Sequence, residues 1–446
     1  SGQESIDKYN EYLATFRTNK AIEQYEPGST FKIITAAMAL EEGVVDLAET
    51  FNCVGYLKIG SIMVRCAKRQ GHGVETFKDG LANSCNPVFM TLAERIGPEK
   101  FYDYITIFGF REKTNVGLPG EQSGYHYAKG TMTALNLANS SFGQSFKITG
   151  MQLVAAVSSV ANDGKYMQPY IIKSITDSDG KVIMQNSPTV VRQTVSESAS
   201  DILCEYLEYT VAKSATSFLA GYRMAGKTGT SQKLDTLANN GEDNGKRIAS
   251  FICFAPADDP QVCILVVVDE PDSEVQYGSY IAAPLGRDIM ADVLDYLGVE
   301  PDYGDGESVK DVTVPDVEDM DYIDAQTELG KLNIRTTVIG TGDTVVYQLP
   351  AKGTVVPEGS DVILYTEQGY EEDTQTVVPN LVGKPASECN LLLVDSNLNI
   401  KVVGSNLSYS NVVAVSQSIE PGTTVSKGTV VTVTFEKTDS PLQDLQ

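Results

Sequence analysis

The chain has 446 residues, enough for two or more domains, and 42% hydrophobic residues supply a sizeable core. A formal charge of −25 argues against nucleic acid or anionic lipid as partners. Two histidines, His72 and His126, and seven scattered cysteines without a C-x-x-C pair leave little for a histidine-rich metal site or a disulfide scaffold. We therefore expect no metal and no cofactor. No apolar run reaches membrane-spanning length and no signal peptide opens the chain. Residue 1 lies close to the first motif, so the chain reads as a piece lacking its natural N-terminus.

In chain order, the first strong signal is Ser29-Thr30-Phe31-Lys32 after Glu26-Pro27-Gly28. The apolar, Ala-rich run from Phe31 to Leu40 predicts a buried helix, with Ser29 at its start and Gly43 at its C-terminal cap. Lys32, three residues on, shares the face of Ser29. His72 sits in Gln-Gly-His-Gly, a turn context, and both histidines read as structural or surface residues. Ser84-Cys85-Asn86 follows in a loop. Arg223 to Ser231 reads as a strand carrying Lys227-Thr228-Gly229-Thr230. Ser250 to Ala255 and Val262 to Asp269 read as a hairpin in a buried sheet, turned by the Pro256 to Pro260 segment. Ile281 to Leu297 reads as a helix stopped by Gly298.

Residues 301–311 have linker chemistry, rich in Pro, Asp, Gly and Glu. Beyond them lies an internal repeat. Val314-Pro315-Asp316-Val317 recurs as Val378-Pro379-Asn380-Leu381, and Leu332-Asn333-Ile334 as Leu398-Asn399-Ile400. Gln348, Gly353, Val356 and Gly359 recur as Gln417, Gly422, Val425 and Gly428. Each copy reads helix, strand, strand, strand, at 312–368 and 376–436, with a 369–375 link and a 437–446 tail. Residues 301–446 hold 23 Asp/Glu against 8 Lys/Arg, so most of the negative charge is here. The plainest reading is small solvated domains kept apart by charge.

S-x-x-K also occurs at Ser5 to Lys8 and Ser178 to Lys181, where a solvated helix face is expected, so that pattern is common. S-x-N and K-T-G each occur once. The three motifs in this order describe serine acyl transfer in which lysine replaces histidine as the base. Burial and a second cation, Lys227, favour neutral Lys32. Ser84 can shuttle a proton, and Asn86 offers a neutral amide to lysine or to a substrate carbonyl. The Lys227 strand can pair with an extended acyl-peptide, with Gly229 keeping that wall low. Lys227 and the hydroxyls of Thr228 and Thr230 suit a carboxylate. The backbone N–H groups of Ser29 and Thr230 suit an oxyanion.

These residues resemble the penicillin-recognising serine transferases, and more narrowly the class B penicillin-binding proteins. Tyr25 to Lys32, Ser141-Phe142-Gly143-Gln144-Ser145, Ala161-Asn162-Asp163-Gly164 with Pro169, and Tyr277-Gly278-Ser279 with Ala282-Ala283-Pro284 support the likeness. The C-terminal pair resembles two PASTA modules. The resemblance implies an α/β transpeptidase fold over 1–300: an antiparallel sheet flanked by helices plus an α-helical lobe, followed by two small α+β PASTA domains. It implies that Ser29 is the acylated nucleophile and Lys32 its base. Ser84 and Asn86 would form the second wall, and Lys227, Thr228, Gly229 and Thr230 the substrate-binding third. The implied reaction is D,D-transpeptidation of peptidoglycan stem peptides, with β-lactams acylating Ser29 as mimics. A membrane-anchored parent on the extracytoplasmic face and a membrane glycosyltransferase partner are also implied. Such proteins carry an N-terminal pedestal, and the segment before Ser29 is too short for the first strands of the expected sheet. Alternatives are a D,D-carboxypeptidase or β-lactamase, or a non-enzymatic receptor. Spore-cortex members of the class are similar in carrying a redox-active cysteine pair. That likeness implies Cys66 and Cys85 here, with Cys53 as competitor, against the reading of three buried thiols that only fill space.

Overall fold

The computed structural model describes residues 19–214, 216–217, 219, 221–233, 245–273, 275–299, 310–367, 374–384, 386–404 and 412–437. Two compact units result: Ser1–Thr210 with Ala225–Ala282, and Val211–Met224 with Ala283–Gln446. Ser5 to Lys8 and most of the 301–311 linker lie outside the described residues, as do residues 369–373 and 438–446.

In the first unit the expected helix runs Lys32–Glu41, preceded by a 3-10 turn over Gly28–Phe31. Small and aliphatic side chains let it be buried on every side. Ile33, Ile34, Ala36, Ala37, Met38 and Ala39 are all wholly inaccessible. Phe31 anchors its start in a ring cluster with Phe101, Phe110 and Phe146. Gly43 follows its end at φ +61, a conformation glycine adopts without a Cβ penalty.

The antiparallel sheet has the order Ala225–Gln232, Arg247–Ala255, Val262–Asp269. Phe251 pairs with both Thr228 and Val266. The middle strand is buried from Ile248 to Ala255, and the strand with Lys227 is an edge among the described residues. The 281–297 helix is longer than expected, Gly278–Tyr296. Ser178 lies exposed in the turn between the strands Ser174–Thr176 and Val182–Gln185, not on a helix face. The sequence Asp177 to Gly180 is turn chemistry, and Asp177 Oδ1 accepts from the amides of Asp179 and Lys181.

In the second unit each repeat has, among the described residues, one helix and five strands rather than three. The first copy adds Asp311–Thr313 paired with Val355–Pro357, and the second Gln375–Val377 paired with Thr424–Ser426. These three-residue strands are too short to show alternation in the sequence. Each copy also has a three-stranded sheet, with a parallel pair such as Arg335–Ile339 against Asp361–Tyr365. The repeated glutamine has a structural reason. Gln348 Oε1 accepts from Val317 N at 2.8 Å and its Nε2 donates to Pro315 O. Gln417 does the same with Leu381 N and Pro379 O. The two copies are not held apart. Asp361 N donates to Asn399 Oδ1 at 2.7 Å, Asn399 Nδ2 donates back to Asp361 O, and Lys401 pairs with Asp311.

Candidate active site

Ser29 lies in the 3-10 turn, half-buried, and Lys32 opens the following helix with its side chain inaccessible. Lys32 Nζ is 3.2 Å from Ser29 Oγ, 3.0 Å from Ser84 Oγ, 2.6 Å from Ser84 O and 2.7 Å from Asn86 Oδ1. The two shortest partners can only accept. They occupy two N–H groups, and a neutral amine then keeps its lone pair for a serine hydroxyl. Asn86 Nδ2 donates to Arg65 O at 3.1 Å, which fixes the amide with its oxygen toward Lys32.

The second wall is a helix-to-helix corner. The helix Phe77–Ala82 ends as Ser84 N bonds Leu81 O and Cys85 N bonds Gly80 O. Ser84 takes φ +54 there, a left-handed conformation that costs a non-glycine residue about 1 kcal/mol or more. Cys85 is the N-cap of the helix Asn86–Ile96, and Pro87 suits its first turn. The corner thus aims Ser84 and Asn86 at one ammonium.

The third wall is the strand edge. Lys227 is 2% exposed, and its Nζ donates to Thr228 O at 3.2 Å. Thr230 Oγ1 accepts from Gly278 N at 2.9 Å, so this hydroxyl also locks the start of the Gly278–Tyr296 helix. Gly229 has a different role from the one expected. A Cβ there would lie 2.5 Å from Ser250 Oγ, 2.9 Å from Thr30 Cγ2 and 3.0 Å from Pro27 O. Its missing side chain lets the strand close on the turn that carries Ser29. Gly143 is likewise pressed on that turn: its Cβ would be 2.0 Å from Gly28 O, and its carbonyl accepts from Gly28 N. Thr35 Oγ1 donates to Ser141 O, so the Ser141–Ser145 segment buttresses the turn.

Burial, then the charge of Lys227, lower the Lys32 pKa to about 7, while Cys66, Cys85 and Glu75 oppose the shift. Burial lowers Lys227 to about 8. His126 belongs to the core: it stacks on Phe146 at 4.5 Å, and burial pushes its pKa down to about 3.

Cys66 and Cys85 are brought together, both as buried thiols. A hydrogen bond from Cys85, with help from the amides of Asn86 and Lys68, lowers the Cys66 thiol to about 5, and Cys66 in turn pushes Cys85 up. They are not an isolated pair. The ligand atoms of Cys53, Cys66, His72 and Cys85 all lie within 4.8 Å of one another. Sequence reasoning singled out the three cysteines, read His72 as a structural or surface residue, and passed over the buried Glu75 beside it. Their spacing follows no familiar ligand pattern, and only the packing of four segments assembles them.

Residues 2–291 match the family described as penicillin binding protein transpeptidase domain, and residues 312–368 and 376–437 match the PASTA domain. The chain is 40% identical to stage V sporulation protein D of Bacillus subtilis, over 83% of this chain and 57% of that protein. It is 34% identical to penicillin-binding protein PbpB of Mycolicibacterium smegmatis, over 63% of this chain and 45% of that one. The chain therefore spans about half the length of these relatives. Among solved structures, penicillin binding protein 3 of Mycobacterium tuberculosis complexed with aztreonam superposes with a TM-score of 0.58 at 29% identity, covering 64% of this chain and 65% of that one. Since the family match takes in all three motifs and well over half the residues, the chain belongs to the penicillin-binding protein transpeptidase family, with two PASTA domains after the transpeptidase domain.

Proposed function

We propose that this chain is the serine D,D-transpeptidase part of a peptidoglycan cross-linking enzyme. One observation carries the reading: a buried lysine with a lowered pKa bridges Ser29, Ser84 and Asn86. Neutral Lys32 takes the proton of Ser29 as Oγ bonds the penultimate D-alanine carbonyl carbon of a stem peptide. The C–N bond then breaks, and Ser84 passes the proton to the leaving amine, releasing D-alanine. An amine of a second stem peptide attacks the ester, gives up its proton by the same relay and restores Ser29. Lys227, Thr228 and Thr230 hold the terminal carboxylate. The N–H groups of Ser29 and Thr230 receive the oxyanion. β-Lactams acylate the same serine.

The identity with a protein named for sporulation, over more of this chain than the PbpB match covers, favours a sporulation role over division. In the parent protein the unit works on the extracytoplasmic face beside a membrane glycosyltransferase. No described helix is long and apolar enough to cross a membrane.

The test is labelling with a fluorescent penicillin. The label should survive boiling, map to Ser29 by mass and vanish in Ser29→Ala. A label on any other serine would overturn the mechanism. Release of the adduct within seconds would favour a hydrolase, and absence of any covalent label would favour a receptor.

A further inference from the structure

Between Glu49 and Glu75 the chain carries four cations, Lys58, Arg65, Lys68 and Arg69, and no acidic residue, although its formal charge is −25. All four are exposed, and none forms an ion pair among the described residues. Other exposed cations of the same unit do find carboxylates: Arg95 faces Glu49, Lys100 faces Glu42 and Lys129 faces Asp103. In so acidic a chain, four neighbouring cations without carboxylates make a local positive patch that attracts anions.

The fold presents these cations together. Tyr56–Ile59 and Ile62–Arg65 form an antiparallel hairpin in which Tyr56 pairs with Arg65 and Lys58 with Met63. Paired residues point to the same side, and residues two apart along a strand share it. One face therefore carries Tyr56, Lys58, Met63 and Arg65, all exposed. Leu57, Ile59 and Val64 alternate with them and are partly buried, and the strand Tyr56–Ile59 lies against the helix Asn86–Ile96. Lys68 and Arg69 follow in the next turn, which backbone contacts fix. Gly71 N donates to Lys68 O at 3.0 Å, and a Cβ on Gly55 would lie 2.1 Å from Arg69 O.

Position selects the anion. Arg65 O accepts from Asn86 Nδ2 at 3.1 Å, and Asn86 Oδ1 accepts from Lys32 Nζ at 2.7 Å, so the patch begins one side chain from the base. Ser84, which relays the proton to the leaving amine, is on this wall, and the incoming amine must reach the same relay. The opposite wall, with Lys227, Thr228 and Thr230, holds the terminal carboxylate of the first peptide. We propose that Lys58, Arg65, Lys68 and Arg69 dock the second, amine-bearing stem peptide through its carboxylates, with Tyr56 and Met63 against its methyl groups; this rests on the transpeptidase reading. Arg65 and Arg69 can each take a carboxylate through two parallel N–H bonds, and Lys58 and Lys68 through charge. The reacting bonds are unchanged: the amine nitrogen replaces Ser29 Oγ on the acyl carbon. The patch supplies affinity and orientation for the second substrate.

The experiment uses the whole chain. A benzoyl-D-alanyl thioester esterifies Ser29 as its thiol leaves, and the amide formed with a synthetic stem peptide then measures acceptor use. Two acceptors with the same free side-chain amine are compared, one with free carboxylates and one with every carboxylate amidated. The free acid should be used at least about fivefold more efficiently, and salt at about 0.5 M should shrink that preference. Lys58→Gln, Lys68→Gln and Arg69→Gln should each lower use of the free acid about two- to fivefold through KM, and together about tenfold or more. Use of the amidated acceptor should not change. Lys129→Gln, which removes a cation elsewhere on the unit, should alter neither. Binding is read separately, as the anisotropy of a dye-labelled stem peptide on the Ser29→Ala chain, and should weaken in the same proportion when the three substitutions are added. Equal use of acid and amidated acceptors by the unaltered chain would overturn the proposal. So would a triple variant as selective as the unaltered chain. Polyglycerol phosphate binding that the triple variant loses, with acceptor use unchanged, would also overturn it and assign the patch to an anionic wall polymer. If Ser29 takes no acyl group, the transpeptidase reading fails and the anisotropy alone decides the patch. If acylation is normal and the anisotropy does not respond, the patch alone fails.

Discussion

Lys32 is buried among four hydrogen-bond partners and feels the charge of Lys227, and this sets its pH behaviour. Its neutral fraction rises as pH passes about 7, so acylation should rise with it. Lys227 loses its charge as pH passes about 8, so capture of a carboxylate should fall. The groups facing Lys32 are Lys227 from the strand and Cys66, Cys85 and Glu75 from the second wall. We expect a bell-shaped acylation profile for penicillins, and loss of the alkaline limb for a β-lactam lacking the carboxylate. A flat profile between pH 6 and 9, a range of about one unit beyond each pKa, would count against Lys32 as base. Lys32→Ala should abolish acylation. Lys227→Ala should slow it about 10- to 100-fold, in proportion to the ligand's reliance on its carboxylate, as loss of one charged hydrogen bond does. Gly229→Ala should force the strand from the Ser29 turn, costing about 1–3 kcal/mol and most of the acylation rate. Thermal melts and labelling kinetics check both parts. Ser29, Lys32 and Lys227 could be singled out as candidates because each motif is local in sequence. The packing role of Gly229 was not, since Ser250, Thr30 and Pro27 come from other segments.

Elements with long periodic patterns matched expectation closely. The Lys32–Glu41 helix and the Arg247–Ala255 and Val262–Asp269 hairpin could be read from apolar runs bounded by glycine and proline. The extra strands of the repeats could not, because three residues carry no period. The repeat did mark Gln348 and Gln417, though not their purpose. Each satisfies a backbone amide and a proline carbonyl at the entrance to its module. Gln417→Ala should leave Leu381 N and Pro379 O without this partner and cost about 1–3 kcal/mol. A lower melting transition for the second module, with penicillin labelling unchanged, is the expected result.

At the scale of the molecule, the motifs all lie in one compact unit and the repeats in the other. A chain ending at residue 300 should therefore still label at Ser29, and loss of labelling with the fold retained would show that the repeats complete the site. Within the second unit the modules are tied by Asn399, Asp361, Lys401 and Asp311. Asp361→Ala should weaken the Asn399 contacts only slightly, because those bonds use the Asp361 backbone. Asn399→Ala should loosen the modules, visible as greater amide exchange at Asp361. The order of three short motifs, the hairpin and the duplicated tail were determined by sequence alone, because adjacent residues carry them. Tertiary structure decided the rest: the corner that turns Ser84 and Asn86 toward Lys32, the closure of the strand on Gly229, and the meeting of Cys53, Cys66, His72 and Cys85. Each joins segments far apart in the chain, where packing rather than local pattern sets which atoms meet.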